Sequence, residues 1–195
     1  LYNRGRTLLE TREAFFPGVT FKIVSRYLEH TLTRDNVRRD RQFERAMGLV
    51  KKLIEGPMRK RLPEELQKAA SARDEGQDYF ALLSFAAGRL TPDELWFRRA
   101  DGGAVQGREV KKTLARAGAL LFSPPPGTGQ PDSLVAALEQ DGLVVLLAES
   151  SGPALETARH ALKADRALPV SEAYCMARPE PAAEPAQLLV KALGP

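Results

Sequence analysis

Sulfur, aromatic and imidazole chemistry are all scarce in this chain. Among its 195 residues there is one cysteine, one tryptophan and two histidines. A single cysteine, Cys175, excludes an internal disulfide and points to a reducing compartment, the cytoplasm. With only His30 and His160 beside it, the chain lacks the ligands of a usual zinc site. Each histidine reads as a lone surface side chain. Cys175 falls on an expected strand with no histidine near it in sequence and reads as a buried, inert thiol. No apolar run approaches the roughly 18 residues that cross a bilayer, so no membrane partner is expected. No signal peptide is visible. A nucleophile elbow, a Rossmann fingerprint and paired carboxylates are also missing. "SPPPGTGQPDS" joins a strand to a helix but lacks the Gly-Lys-Ser/Thr ending of a phosphate loop, and reads as a stiff exposed loop. "AESSGPALE" is another strand-to-helix junction, where backbone N–H groups can hold an anion, as at most such junctions. Taken alone, this is not the sequence of a complete enzyme. The abrupt opening "LYNRGRTLLE" suggests a piece of a longer polypeptide.

What is present is positive charge, unevenly placed. From Leu1 to Pro63 there are 15 Lys or Arg against 7 Asp or Glu, a net of +8; the remainder carries 14 against 18, a net of −4. A basic first third implies an anionic partner. Arginine predominates there, which suits bidentate contacts to phosphate or carboxylate. The charge is densest in "TLTRDNVRRD", before a helix start that already favours an anion. On an ideal helix Arg34, Arg38, Arg41 and Arg45 share one face, and the apolar positions point elsewhere. A solvated face with local pairs such as Arg41 to Glu44 is the plain reading. Nucleic-acid binding is disfavoured, because the aromatic residues follow the apolar pattern and are not interleaved with the arginines.

The hydrophobic pattern predicts the elements. "LYNRGRTLL" alternates like a strand, and "FFPGVTFKIV" carries a Pro-Gly break between core aromatics. From Asp40 the period becomes helical: Phe43, Met47, Val50 and Ile54, with Ala46 and Leu53 on the same face. Asp35 or Asp40 is the expected cap, and Gly56-Pro57 the expected end. "LPEELQKAA", with Pro63 in its first turn, and "DYFALLSFAAGRL", closed by Gly88, are further helices. Beyond Thr91, short buried strands alternate with helices of about ten residues, which predicts βαβ units and a mostly parallel sheet. "LWFRRADGGAV" is a strand and a glycine turn, "ALLFSP" and "LVVLLA" are buried strands, and "SEAYCMARP" is a last strand. The fold class is therefore α/β (α+β overall). Residues 1–35 are the end of a first α/β lobe, 36–90 a helical connector, 91–180 a small αβα lobe, and 181–195 a linker with a short helix. Trp96 and Phe97 read as core.

The order of these parts resembles the middle segment of the heat-shock protein 90 chaperone family. Leu1-Tyr2, Phe16-Pro17 and Phe21 fit that family's opening strand, Pro step and following Phe. Thr33-Arg34-Asp35, with Val37 after it, fits its Ser-Arg-Glu loop before a long helix. "LWFRRADGGAVQGREVKKTLARAGALLFSP" and "SLVAALEQDGLVVLLAES" are similar to its second lobe. The resemblance implies an ATP-dependent, stress-responsive chaperone acting in protein folding. Arg34 would reach the terminal phosphate of ATP, carried with Mg by a separate amino-terminal domain. Arg38 and Thr33 would be further phosphate contacts; Arg38 stands where the family often has glutamine, and the segment between Phe21 and Thr33 is about three residues shorter than the family's. The implied partners are that nucleotide-binding domain and partly folded client proteins. The fragment alone would be inactive. The alternative is a nucleic-acid-binding module using the basic helix 34–45.

Overall fold

The computed structural model of the chain describes residues 1–3, 6, 7, 9, 10, 15–32, 36–72, 77–125 and 132–177. They fall into two compact units, Leu1–Leu62 and Pro63–Pro195. The charge imbalance follows this division, since residue 63 is an uncharged proline.

In the first unit the expected single strand is a hairpin of two short ones, β1 (Tyr2–Asn3) and β2 (Arg6–Thr7), paired antiparallel. The other edge of β1 is taken by a parallel segment: the Tyr2 N–H donates to the Ile23 carbonyl at 2.9 Å, and the Ser25 N–H to the Tyr2 carbonyl at 3.0 Å. The Pro-Gly break is a tight turn in which the Val19 N–H donates to the Phe16 carbonyl at 3.0 Å. Gly18 supplies the φ of +73° that the third position of such a turn requires. The aromatics around it pack together, with Phe15 6.0 Å from Phe43 and Phe16 5.8 Å from Phe21 between ring centroids. They border a small core of Leu28, Val37 and Phe43.

Helix α1 (Arg41–Leu53) starts at Asp40, whose Oδ1 accepts from the N–H groups of Gln42 (2.9 Å) and Phe43 (3.1 Å). Asp40 is thus the cap, not Asp35. Removing it with Asp40→Ala should lower stability by about 1 kcal/mol. An unchanged denaturant midpoint would mean that the cap is not needed. Phe43 and Val50 are buried as expected, but Leu53 is exposed. At 100° per residue it falls well to one side of the Phe43–Val50 line. Gly56-Pro57 does not end the helix. A π-helical turn (Ile54–Met58) absorbs the proline, and the chain runs on as α2 (Arg59–Ser71). The wider turn accommodates a residue without an N–H. Pro63 therefore sits at the fifth position of α2, not in the first turn.

The second unit holds the expected α/β arrangement. Its elements are α3 (Gln77–Ala87), a 3₁₀ turn (Pro92–Glu94), β3 (Trp96–Arg98), β4 (Ala104–Gln106), α4 (Gly107–Ala117), β5 (Leu120–Ser123), α5 (Asp132–Gln140), β6 (Val145–Leu147), α6 (Pro153–Leu162), β7 (Ala167–Pro169) and α7 (Val170–Ala177). Strands β6, β5 and β7 form a parallel sheet in that order, with β5 central and buried throughout. Beyond β3, the Ala100 N–H donates to the Val145 carbonyl at 3.0 Å, and Arg99 bridges Leu146 in the antiparallel sense. The β3–β4 hairpin is thereby attached to the edge of the parallel sheet. Leu121 and Val145 pack with Leu138 of α5 and with Val170 and Ala173 of α7.

Two expectations fail at the carboxyl end of the described residues. "SEAYCMA" is helical, as α7, and the last strand is the preceding Ala167–Pro169. Alanine, glutamate and methionine are helix formers, and the segment has no β-branched residue to favour a strand. Cys175 is accordingly exposed on a helix, not buried on a strand. The expected linker and short helix at 181–195 lie outside the described residues. No helix among the described residues is long and apolar enough to cross a membrane.

Candidate functional site

Arg34 and Thr33 lie outside the described residues, but the chain on both sides of them is fixed. The Thr31 N–H donates to the Asn36 carbonyl at 2.9 Å, and the Arg38 N–H to the Glu29 carbonyl at 2.8 Å. Between these two bonds His30 and Val37 pair in antiparallel register. Val37 and Leu28 anchor the ladder in the core, at 2% and 1% exposure. Residues 36–38 are thus tied to residues 29–31 and lead into α1 at the Asp40 cap. His30 is half-buried, and its Nδ1 finds no partner among the described residues. His160 is exposed on α6.

The arginines that the helical-wheel reading placed together do not share a helix. The helix begins at Arg41, because Asp40 is extended (φ −104°, ψ −172°). Their roles divide accordingly. Arg38 is exposed, its Nη1 lying 3.8 Å from Glu29 Oε2. At that distance and exposure the pair contributes at most about 1 kcal/mol and yields readily to a stronger anion. Arg39 lies over two rings, 5.8 Å from the centroid of Phe15 and 6.0 Å from that of Phe43. It serves the core's edge as a cation–π neighbour. Arg41 and Arg45 are exposed on α1 and make no ion pair among the described residues, so the expected Arg41–Glu44 pair does not form.

Two leucines on α1 that the sequence does not single out as functional lie beside these cations. Leu49 and Leu53 are 57% and 59% exposed. Gly48, on the far side of the cations from the leucines, has nothing among the described residues within 4 Å of where its Cβ would stand. A glycine inside a helix costs about 1 kcal/mol relative to alanine, and no contact among the described residues explains it. A stricter wheel separates Leu49, about 120° from Phe43, but sets Leu53 within about 20° of Ala46, so the exposure of Leu53 is not legible in the spacing.

In the second unit, Phe97 is core at 2% exposure and Trp96 is partly buried. Tyr79, also 2% exposed, joins helix to hairpin: its hydroxyl donates to the Trp96 carbonyl (3.4 Å) and accepts from the Arg98 N–H (3.2 Å). The Arg98 guanidinium covers its ring at 4.5 Å and donates to the Ala69 carbonyl at 3.1 Å. Burial pushes the Tyr79 hydroxyl up to about 12, against the opposing pull of Arg98. A groove of about 650 Å³ runs beside β7, lined by Phe122, Pro124, Ser150, Arg159, Arg166 and Pro169 among others. It runs the length of β7, from Asp165 and Arg166 before the strand to Ser171 after it, and reaches the carboxyl end of β5 at Pro124. Most of the "SPPPGTGQPDS" loop lies outside the described residues. Gly152 and Pro153, from the "AESSGPALE" junction, open α6 without a side-chain cap. No cluster of three or more histidine, cysteine or acidic side chains able to hold a metal ion occurs among the described residues. No family model, curated protein or solved structure matches this chain.

Proposed function

We propose that this chain is the middle segment of an ATP-dependent chaperone of the heat-shock protein 90 kind, working in the cytoplasm. The observation that carries the reading is the order of elements in the second unit. A strand and an Asp-Gly turn precede a helix and a buried strand: β3, Asp101-Gly102, the return strand β4, α4 and β5. The next helix, glycine turn and strand follow as α5, Gly142 and β6, with Gly142 at φ +73°. In the first unit, the lead that the resemblance makes a catalytic loop is hydrogen-bonded on both sides and runs into a capped helix.

On this reading ATP and its Mg are held by a separate nucleotide-binding domain of the same polypeptide, and Arg34 reaches the terminal phosphate. Its guanidinium neutralises charge that develops on the transferred phosphoryl group. Arg38, held only loosely by Glu29, is the second phosphate contact, with Thr33 beside it. Partly folded clients are the other partners. A nucleic-acid module gains less support: Arg41 and Arg45 supply charge, but Phe15, Phe16, Phe21 and Phe43 engage one another, leaving no stacking platform among them.

The test uses the polypeptide that contains this chain together with its nucleotide-binding domain. Arg34→Ala should lower steady-state ATP turnover at least about ten-fold, or about 1.4 kcal/mol of barrier. Nucleotide affinity and the melting temperature should be retained. Equal turnover in a folded variant removes the reading.

A further inference from the structure

Among the described residues, the large apolar side chains left exposed are Val24, Tyr27, Leu32, Leu49 and Leu53, all in the first unit. Two of them, Leu49 and Leu53, stand one turn apart on α1. On an ideal helix they lie within about 40° of each other, next to an arc that holds Arg41, Arg45 and Lys52. Those three cations are exposed and make no ion pair among the described residues. Leucines at i and i+4 beside a parallel row of cations form a surface with defined chemistry.

We propose that this side of α1 docks an acidic amphipathic helix of a partner protein. Its apolar side chains would cover Leu49 and Leu53, and its carboxylates would meet Arg41, Arg45 and Lys52. Charge complementarity favours this occupant over a second copy of the chain, whose identical face would bring three cations against three. A lipid surface fits less well. The broad apolar stripe of α1, Phe43 and Val50, is already buried in its own unit, leaving only two leucines for a bilayer. Nucleic acid would use the cations but leave the leucines uncovered. The docking face stands whether or not Arg34 meets a nucleotide.

The experiment uses the whole 195-residue chain. The probe is a fluorescent synthetic helix with leucines at i and i+4 flanked by glutamates, and binding is read by anisotropy. The natural chain should bind it, and the double variant Leu49→Gln/Leu53→Gln should bind at least about ten-fold more weakly. Arg45→Glu/Lys52→Glu should weaken binding to a similar degree while the melting temperature is retained, which separates lost charge complementarity from unfolding. Any of three results overturns the proposal. The natural chain fails to bind the probe; the double variant, folded by circular dichroism, binds as the natural chain does; or a control peptide with its leucines changed to glutamine binds equally well. Tighter binding to a DNA duplex or to phosphatidylserine vesicles, weakened by the same substitutions, would also overturn it in favour of that partner.

Discussion

Gly107→Ala is expected to unfold the second unit or loosen it severely. Gly107 opens α4 directly after β4, is buried, and donates its N–H to the Leu95 carbonyl at 2.8 Å. A Cβ at this position would stand 1.9 Å from the Pro92 carbonyl oxygen and 3.0 Å from its carbon. The obstructing atoms are backbone, in a turn held by its own bonds: the Thr91 N–H and hydroxyl donate to Glu94 Oε2 at 2.8 and 2.9 Å. No side chain can rotate away. Relief requires the 3₁₀ turn or the start of α4 to move, and the same shift disturbs Leu95 and Phe97, which are 1% and 2% exposed. The expected loss is at least about 3 kcal/mol, in the range reserved for overpacking combined with backbone displacement. Trp96 is the only tryptophan and lies next to the clash, so its fluorescence during denaturant unfolding reports on the unit directly. A midpoint within experimental scatter of the natural protein would show that the turn yields freely.

How far such features are legible in sequence depends on whether they are local. Most elements of the second unit are readable because they carry their own punctuation; β7 and α7 are the exceptions. Gly118 and Gly142 take the positive φ values, 69° and 73°, that end α4 and α5. Residues 119–122 form an uninterrupted apolar run, as two-sided burial requires. The close approach at Gly107 was not readable, because it depends on Pro92, fifteen residues earlier in the chain. The π-turn defeats the Gly-Pro stop rule for a related reason. Proline normally breaks a helix because it has no N–H and crowds the preceding turn, and here a wider turn removes both conflicts.

The candidate site was partly legible in the same sense. Composition located the charge, and the spacing of Phe43, Met47 and Val50 located the helix, but neither decides where a helix begins. That decision rests with Asp40, and it moves Arg38 off the helix while leaving Arg41 and Arg45 on it. Arg39, indistinguishable from its neighbours by type, is assigned to the aromatic core by Phe15, more than twenty residues away in sequence. Cys175 shows the converse. A strand at this position would bury the thiol, and the helix that forms instead leaves it exposed.

Alkaline pH should destabilise the second unit through one side chain, Tyr79. Burial raises its hydroxyl from an ordinary value near 10 to about 12. The folded state therefore retains a proton that the unfolded chain releases first. Between pH 10 and 12 the unfolded state binds fewer protons, so stability falls as pH rises. Below pH 10 the contribution is fully present, and it is lost as pH passes through the folded value. A shift of this size corresponds to a loss on the order of 2 to 3 kcal/mol across that window. Tyr79→Phe removes the group, and with it the hydroxyl's contacts to the Trp96 carbonyl and the Arg98 N–H, so the variant should be about 1 kcal/mol less stable at neutral pH. Its stability should then decline less steeply above pH 10, and the two curves should converge or cross. The other tyrosines and the lysines titrate in both proteins, so the difference between the curves isolates Tyr79. Parallel curves from pH 8 to 12 would mean that the hydroxyl ionises as freely in the folded unit as in water, and the tie between α3 and the β3–β4 hairpin would then not depend on a protonated phenol.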